Sequence, residues 1–252
     1  MPELKLVGGA EPVIDLAAVN RALEGAPADE ALRWVRDTCG DDVILSSSFG
    51  AESALMLHLV KAWIPNVKVV FVDTGYLFPE TYRFADELAK RFDLDVRVYS
   101  PAITAARQEA LFGKRWEGDK AAMEEYQLVN KVEPMNRAVR ELKPKAWVAG
   151  LRRHQTEFRK NLSPVELTEG VYKVHPILNW HEEDVVHYMR SNDLPYHPLY
   201  KRGYRSIGDE HSTFPTLEGE DPRAGRNLGE KKECGIHLPR VAIAQSQKSS
   251  SL

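Results

Sequence analysis

The chain has 252 residues, of which 43% are hydrophobic and 28% charged, a composition that predicts a folded domain with a sizeable core. The net charge of −3 argues against a general nucleic-acid-binding surface, which needs a basic surplus on one face. There is no apolar run of roughly 18 residues, and the start lacks the continuous apolar core of a signal peptide. We therefore expect a cytoplasmic protein that contacts neither membrane nor nucleic acid.

Short apolar runs alternate along the chain with segments of helical periodicity. The predicted strands are 43–45, 67–72, 96–99, 146–149 and 171–175. The predicted helices are 27–37, 52–63, 79–92, 180–192 and most of 102–143, with a break at 116–119. This alternation predicts an α/β fold, a Rossmann-like, doubly wound and mainly parallel sheet that binds ligands at the carboxyl ends of its strands.

The composition divides the chain into four segments. A lead-in over 1–26 precedes a nucleotide-binding α/β domain over 27–193. Residues 194–240 are rich in Gly, Pro and charge, which predicts a mobile C-terminal segment that swings over the ligand. Residues 241–252 read as a disordered polar tail.

The first candidate site is the loop from Ser46 to Ser53, which reads SSSFGAES and follows the first predicted strand. Its small residues let backbone N–H groups face an anion, and the N-terminus of the next helix adds positive potential. A capping turn is the alternative, since serine is a favoured N-cap. The loop is not a Walker A motif, because no Gly-Lys-Ser/Thr follows.

The second candidate is the turn formed by Asp73, Thr74 and Gly75 at the end of the second predicted strand. A loop at this point of a doubly wound sheet can contact adenine or ribose. The alternative is a plain turn that uses Asp and Gly for backbone reasons.

Basic residues form the third candidate. Gly150, Arg152 and Arg153 follow the fourth predicted strand, and Arg159 lies a few residues further on. The planar fork of arginine suits phosphate or sulfate oxygens. A solvated helix start is the alternative for the arginines, and Lys131 can equally be an ordinary exposed lysine.

The two cysteines, Cys39 and Cys234, are too few for a disulfide framework or a four-thiolate cluster. Cys39 lies at a predicted helix end and reads as a small buried hydrophobe. Cys234 follows Arg223, Arg226 and two lysines, and cations favour the nucleophilic thiolate. A free surface cysteine is the alternative. The histidine spacings do not indicate a metal site.

Taken in order, these segments resemble the phosphoadenosine phosphosulfate (PAPS) reductases of assimilatory sulfate reduction. The similarity runs from about residue 31 to 237, and its most specific pieces are SSSFGAES, VDTGYLFPETYRFADEL, NKVEPMNRA, AGLRRHQTEFRKNL and ECGIHL. The resemblance implies an adenine-nucleotide α-hydrolase-like fold. It also implies a substrate that is PAPS or its relative adenosine phosphosulfate (APS).

The resemblance implies a role for each candidate residue, with Cys234 as the nucleophile. It places Ser46, Ser47, Ser48, Gly50 and Ser53 at the phosphosulfate, and Asp73, Thr74 and Gly75 at the adenosine. It places Gly150, Lys131, Arg152, Arg153, Arg159, Arg223, Arg226 and His237 around the substrate's anionic groups.

The implied chemistry is a two-step transfer. The Cys234 thiolate takes the sulfonate from the nucleotide, and reduced thioredoxin or glutaredoxin then releases sulfite. The chain has no Cys-x-x-Cys motif, so the two electrons come from that external carrier. A homodimer without a bound cofactor is expected.

APS-specific relatives carry four cysteines that hold an iron–sulfur cluster. The corresponding positions here are Tyr126, Gln127, Asp209 and Ser212, so we expect no cluster and a preference for PAPS. A cluster-free APS reductase, an ATP pyrophosphatase-type adenylating enzyme and a nucleotide sensor without chemistry are the alternatives. Asn227 stands where the family often has a tryptophan, which predicts a weaker contact with substrate.

Overall fold

The protein is described by a computed structural model over residues 14–217, 219–226 and 235–237. Within these residues, six strands form one sheet. They are β1 (Val43–Ser46), β2 (Lys68–Val72), β3 (Asp95–Tyr99), β4 (Ala146–Val148), β5 (Val165–Thr168) and β6 (Val171–Val174). The spatial order is β3-β2-β1-β4-β6-β5, and every neighbouring pair is parallel except β5 and β6. The predicted doubly wound, mainly parallel sheet is confirmed.

The helices follow the predicted alternation with the strands. They are α1 (Leu16–Leu23), α2 (Ala28–Cys39), α3 (Ser53–Trp63), α4 (Pro79–Arg91), α5 (Ala105–Phe112), α6 (Lys120–Gln127), α7 (Glu133–Leu142) and α8 (Glu182–Ser191). A short 3₁₀ turn at Arg115–Glu117 separates α5 from α6, near the predicted break. No helix in the described part of the chain is long and apolar enough to cross a bilayer.

The core lies on both faces of the sheet, which explains why the central strands are continuously apolar. Val43 and Leu45 of β1 point into the larger cluster, with α2, α3, α4 and α8. Ile44 points the other way and packs with Trp147 and with residues of α7. Cys39 is buried in the larger cluster, and this burial raises the pKa of its thiol to about 11, as expected of a small inert hydrophobe.

The sequence did not predict β5. This strand pairs antiparallel with β6 through a two-residue turn, Glu169 and Gly170, which both have positive φ angles of 51° and 79°. That turn geometry matches the twist of a hairpin. A four-residue strand at the sheet edge leaves too short a pattern to recognise in the sequence.

The sheet topology creates a crevice between β1 and β4. From β1 the chain moves outward through β2 to β3, and then returns to the other side of β1 as β4. The chain therefore leaves the adjacent strands β1 and β4 in opposite directions, and a crevice opens between the loops that follow them. Doubly wound sheets bind ligands in a crevice of this kind.

Candidate active site

A cavity of about 580 Å³ lies at the carboxyl ends of the central strands. Its walls come from the loop after β1, the end of β2, the turn before α7, the loop after β4, residues 205–209 and part of 219–226. The sequence-predicted residues that line it are Ser46, Ser47, Ser48, Gly50, Ser53, Thr74, Lys131, Gly150, Arg152, Arg159, Arg223, Arg226 and His237. Asp73, Gly75 and Arg153 do not line it. Cys234 and Asn227 lie outside the described residues.

The loop after β1 is shaped by a buried aromatic ring. Phe49 has a φ of 47°, a left-handed conformation that is uncommon for a bulky residue. Its ring is fully buried and packs edge-on against Phe71, with the centroids 4.9 Å apart. This anchor turns the chain back towards α3 and leaves Ser48 and Gly50 along the cavity.

Two serines of this loop also have structural partners. Ser53 donates its hydroxyl to the carbonyl oxygen of Gly50, at 3.0 Å, and thereby closes the turn before α3. Ser46 accepts a hydrogen bond of 2.8 Å from the indole Nε1 of Trp147. A serine N-cap is therefore not what this loop forms, because the N-cap of α3 is Glu52 and makes no side-chain cap hydrogen bond. The same serines shape the turn and line the cavity.

The turn after β2 divides its residues between two roles. The Asp73 carboxylate accepts hydrogen bonds from the Gly75 N–H, at 2.9 Å, and from the Tyr82 hydroxyl, at 2.7 Å. Gly75 has a φ of 79°, which favours glycine. Asp73 and Gly75 therefore shape the turn, and Thr74 is the member of the three that reaches the cavity.

A buried ion pair fixes Lys131 in the cavity wall. Lys131 lies in the π-helical turn Leu128–Val132 between α6 and α7, and its ammonium group contacts the carboxylate of Asp209. Thr74 donates its hydroxyl to the same carboxylate at 2.6 Å. Burial alone would raise the pKa of Asp209, but Lys131 and Thr74 outweigh it and hold that pKa below its ordinary value.

A second ionic group surrounds Arg152. Its guanidinium donates to Glu52 at 2.9 Å and to Glu182 at 3.2 Å, and its side chain is 8% exposed. Burial raises the pKa of Glu52 to about 7; Arg152 opposes this rise, and Glu182 adds to it. This end of the cavity therefore holds a cation that already pairs with two acidic side chains.

Arg153 points away from the cavity, which corrects the expectation that it faces the substrate. Its guanidinium donates to the Glu24 carboxylate at 2.5 and 2.9 Å, to Asn179 at 2.6 Å and to the Leu162 carbonyl. The backbone is extended at Arg152, so consecutive arginines project to opposite sides. Arg153 thus ties α1 to the loop before α8.

The remaining predicted groups meet at one side of the cavity. Arg159 is buried and donates a hydrogen bond to Gln155, and Arg223 and Arg226 approach from the C-terminal segment. His237 packs near the Trp147 ring, with the centroids 5.4 Å apart. Burial lowers the pKa of His237 well below its usual range, and the positive charge of Arg159 lowers it further. The imidazole is therefore neutral at pH 7.

Five further residues line the cavity and were not among the predicted site residues, namely Glu52, His154, Glu182, Arg205 and Asp209. Glu52 was visible inside the first motif, but its partner Arg152 lies far along the chain. Asp209 sits in a segment without periodicity, so nothing in the sequence indicated that it is fully buried or that it pairs with Lys131.

Aromatic packing occupies the region beside Asp209. The His211 ring stacks on Trp116 at 3.9 Å, and its Nε2 lies 3.0 Å from the Tyr126 hydroxyl. Gln127 and Ser212 are buried next to these rings. Among the described residues, no group of three His, Cys, Asp or Glu side chains is placed to hold a metal ion.

Known proteins are similar to this chain in sequence and in fold. Residues 42–215 match the family described as "Phosphoadenosine phosphosulfate reductase domain". The phosphoadenosine 5′-phosphosulfate reductase of Synechocystis is 46% identical over 242 residues, which are 95% of this chain and 97% of that protein. The enzyme of the same name from Thiocapsa roseopersicina is 47% identical over 222 residues, 88% and 93% of the two chains.

A solved structure has the same architecture. The PAPS reductase of Candida auris, crystallised as a phosphate complex, is 28% identical and superposes with a TM-score of 0.70. The match covers 82% of this chain and all of that one. With its cavity at the crevice of the sheet, its cationic lining and these relatives, the chain belongs to the phosphoadenosine phosphosulfate reductase family.

Proposed function

We propose that this protein reduces PAPS to sulfite and adenosine 3′,5′-bisphosphate. The observation that carries the proposal is the cavity itself, in which Lys131, Arg159, Arg223 and Arg226 line the same crevice as the serine-rich loop. A dianionic phosphosulfate next to an adenosine is the type of ligand that this combination suits. The enzymes of this name in Synechocystis and Thiocapsa support the choice of substrate.

Cys234 is the proposed nucleophile. Its thiolate attacks the sulfur of the phosphosulfate, an S–S bond forms, and the S–O bond to the phosphate breaks. Adenosine 3′,5′-bisphosphate leaves with the electron pair of that S–O bond, and Cys234 carries an S-sulfonate. The basic residues on both sides of Cys234 in the sequence favour its thiolate form.

An external dithiol completes the reaction. A thiolate of reduced thioredoxin or glutaredoxin attacks the Cys234 sulfur, and sulfite leaves with the electrons of the S–S bond. The second thiol of the carrier then resolves the mixed disulfide, so Cys234 returns to its thiol and the carrier becomes a disulfide. A cytoplasmic homodimer without an iron–sulfur cluster completes the proposal.

The preference for PAPS over APS rests on the four positions that hold cluster cysteines in APS-specific relatives. Here Tyr126 packs with the aromatic rings, Asp209 pairs with Lys131, and Gln127 and Ser212 are buried. These side chains fill the region with ordinary packing and ion pairing.

Sulfite release with reduced thioredoxin tests the proposal. We expect kcat/KM to be about 10- to 150-fold higher with PAPS than with APS, the effect of one charge-assisted contact to the 3′-phosphate. Cys234→Ser should release no sulfite from either nucleotide, and Cys39→Ala, at the other cysteine, should retain the wild-type preference. A clear preference for APS would indicate the cluster-free APS reductase instead, and no sulfite from either would refute the proposal.

A further inference from the structure

The guanidinium of Arg226 lies directly against the backbone of Gly208. A β-carbon at Gly208 would be 2.2 Å from Nη2, 2.5 Å from Cζ and 2.7 Å from Nη1 of Arg226. These distances are far inside van der Waals contact, which begins near 3.5 Å between heavy atoms. The guanidinium can therefore occupy this place in the cavity wall only when residue 208 has no side chain.

The backbone at Gly208 is held from several sides. Its N–H donates to the hydroxyl of Thr213 at 3.2 Å. The next residue, Asp209, is fully buried, pairs with Lys131 and forms a β-bridge with Leu77. A side chain added at position 208 therefore cannot be accommodated by a retreat of this segment from the cavity.

The backbone at Arg226 is fixed as well. Arg226 forms a β-bridge with Thr213, and its N–H donates to the Arg223 carbonyl at 3.0 Å. The neighbouring Gly225 accepts a hydrogen bond of 2.8 Å from the Phe214 N–H. With both backbones held, the flexible end of the Arg226 side chain is the part that moves when a methyl group appears at residue 208.

We propose that Gly208 is a positioning residue for PAPS binding, because its missing side chain sets the place of the Arg226 guanidinium in the cavity. This inference rests on the proposed function, in which Arg226 binds an anionic group of PAPS. Gly208 itself supplies no charge to the substrate. A displacement of the guanidinium by the width of a methyl group weakens a charge-assisted contact, which depends on distance and direction.

A double-mutant cycle tests the inference. PAPS is titrated calorimetrically into the full chain carrying Cys234→Ser, which stops sulfonate transfer, with Gly208→Ala, Arg226→Ala or both. Arg226→Ala should weaken PAPS binding about 10- to 150-fold. Gly208→Ala should weaken it about fivefold or more, since small displacements of a binding group are costly. The double variant should bind within about twofold of Arg226→Ala, because the added methyl has no guanidinium left to displace.

Gly170→Ala serves as the matched control. Gly170 lies in the β5–β6 turn with a φ of 79° and has no atom within 4 Å of an added β-carbon. The substitution strains the turn, so we expect a lower free energy of unfolding in urea. The affinity for PAPS should equal that of the Cys234→Ser parent, the chain that carries no further substitution. A loss of affinity in Gly208→Ala and not in Gly170→Ala therefore separates positioning from a general loss of stability.

Three results would overturn the inference. They are parent-like affinity in Gly208→Ala, parent-like affinity in Arg226→Ala, or a double variant clearly weaker than Arg226→Ala alone. A Cys234→Ser parent that does not bind PAPS would refute the proposed function, and the inference with it.

Discussion

The Lys131 ammonium lies against the Asp209 carboxylate in the cavity wall. The Asp209 side chain is 1% exposed, so Asp209→Asn leaves the Lys131 ammonium without a counter-ion in a poorly solvated place. We expect Asp209→Asn to lower the free energy of unfolding by about 3–5 kcal/mol, the usual cost of breaking a buried pair. Urea unfolding at pH 7 measures this loss.

Asp86 provides the matched control for that substitution. It pairs with Lys90 at 2.6 Å on the surface of α4, and the side chains are 66% and 75% exposed. Asp86→Asn should change the free energy of unfolding by less than about 1 kcal/mol, since water screens exposed pairs. Equal losses in the two variants would show that the burial of the Lys131–Asp209 pair does not matter.

Glu52 gives the folded protein a distinct pH dependence. Burial raises its pKa from about 4.5 to about 7, so the folded state binds this proton more tightly than the unfolded chain does. The resulting stabilisation is complete below about pH 4.5 and is lost as the pH rises through about 7. Relative to Glu52→Gln, the wild type should lose up to about 3 kcal/mol of unfolding free energy between pH 5 and pH 8.

Urea unfolding at pH 5 and pH 8 measures how much unfolding free energy the wild type and Glu52→Gln each lose between these two pH values. Glu183→Gln is the control, because Glu183 is exposed and lies outside the Arg152 group, one residue after Glu182. That variant should keep the slope of the wild type. Parallel pH dependences for wild type and Glu52→Gln would contradict the assignment of this proton to Glu52.

At the scale of elements, α1 covers the exposed edge of the sheet. Asn20 of α1 donates to the Val165 carbonyl at 2.9 Å and accepts from the Val165 N–H at 2.8 Å, so one side chain satisfies both backbone groups of Val165 on the outer side of β5. Sheet edges left unpaired invite association with other chains. Asn20 therefore covers the Val165 end of this edge.

Asn20→Ala should lower the free energy of unfolding by about 1–3 kcal/mol, because it leaves the buried polar groups of Val165 without a partner. Chemical denaturation measures this, and the rate of sulfite release should stay at the wild-type value. Asn66→Ala is the comparison, since Asn66 is exposed and bonds only to Asp41 in the described structure. A loss no larger than that of Asn66→Ala would contradict the edge-covering role of α1.

The sequence predicted those elements that a local pattern determines. The strand at 43–45 is apolar because both faces of β1 are buried, and the helix from Pro79 begins with a proline that needs no N–H partner. β5 has no such signal, since its place depends on a turn and on contacts with Asn20. A local sequence pattern therefore does not predict an element that is held in place mainly by residues far away in the chain.

At the scale of the whole molecule, the position of the cavity follows from the order of the strands. Strands that alternate with helices predict ligands at the carboxyl ends, and the cavity lies there. The pairings that define its electrostatics were not predictable, because Arg152 meets Glu52 and Lys131 meets Asp209 only after folding. Motifs indicated many of the residues that line the cavity, and the fold decides which of their charges already have partners.

The central claim is that Cys234 accepts the sulfonate group of PAPS. Intact-mass spectrometry of the full chain, incubated with PAPS in the absence of thioredoxin, tests it most directly. We predict one added sulfonate group on the wild type and on Cys39→Ala, its loss when reduced thioredoxin is added, and no addition to Cys234→Ser. An unmodified wild-type protein in a reaction that has released adenosine 3′,5′-bisphosphate would contradict the account.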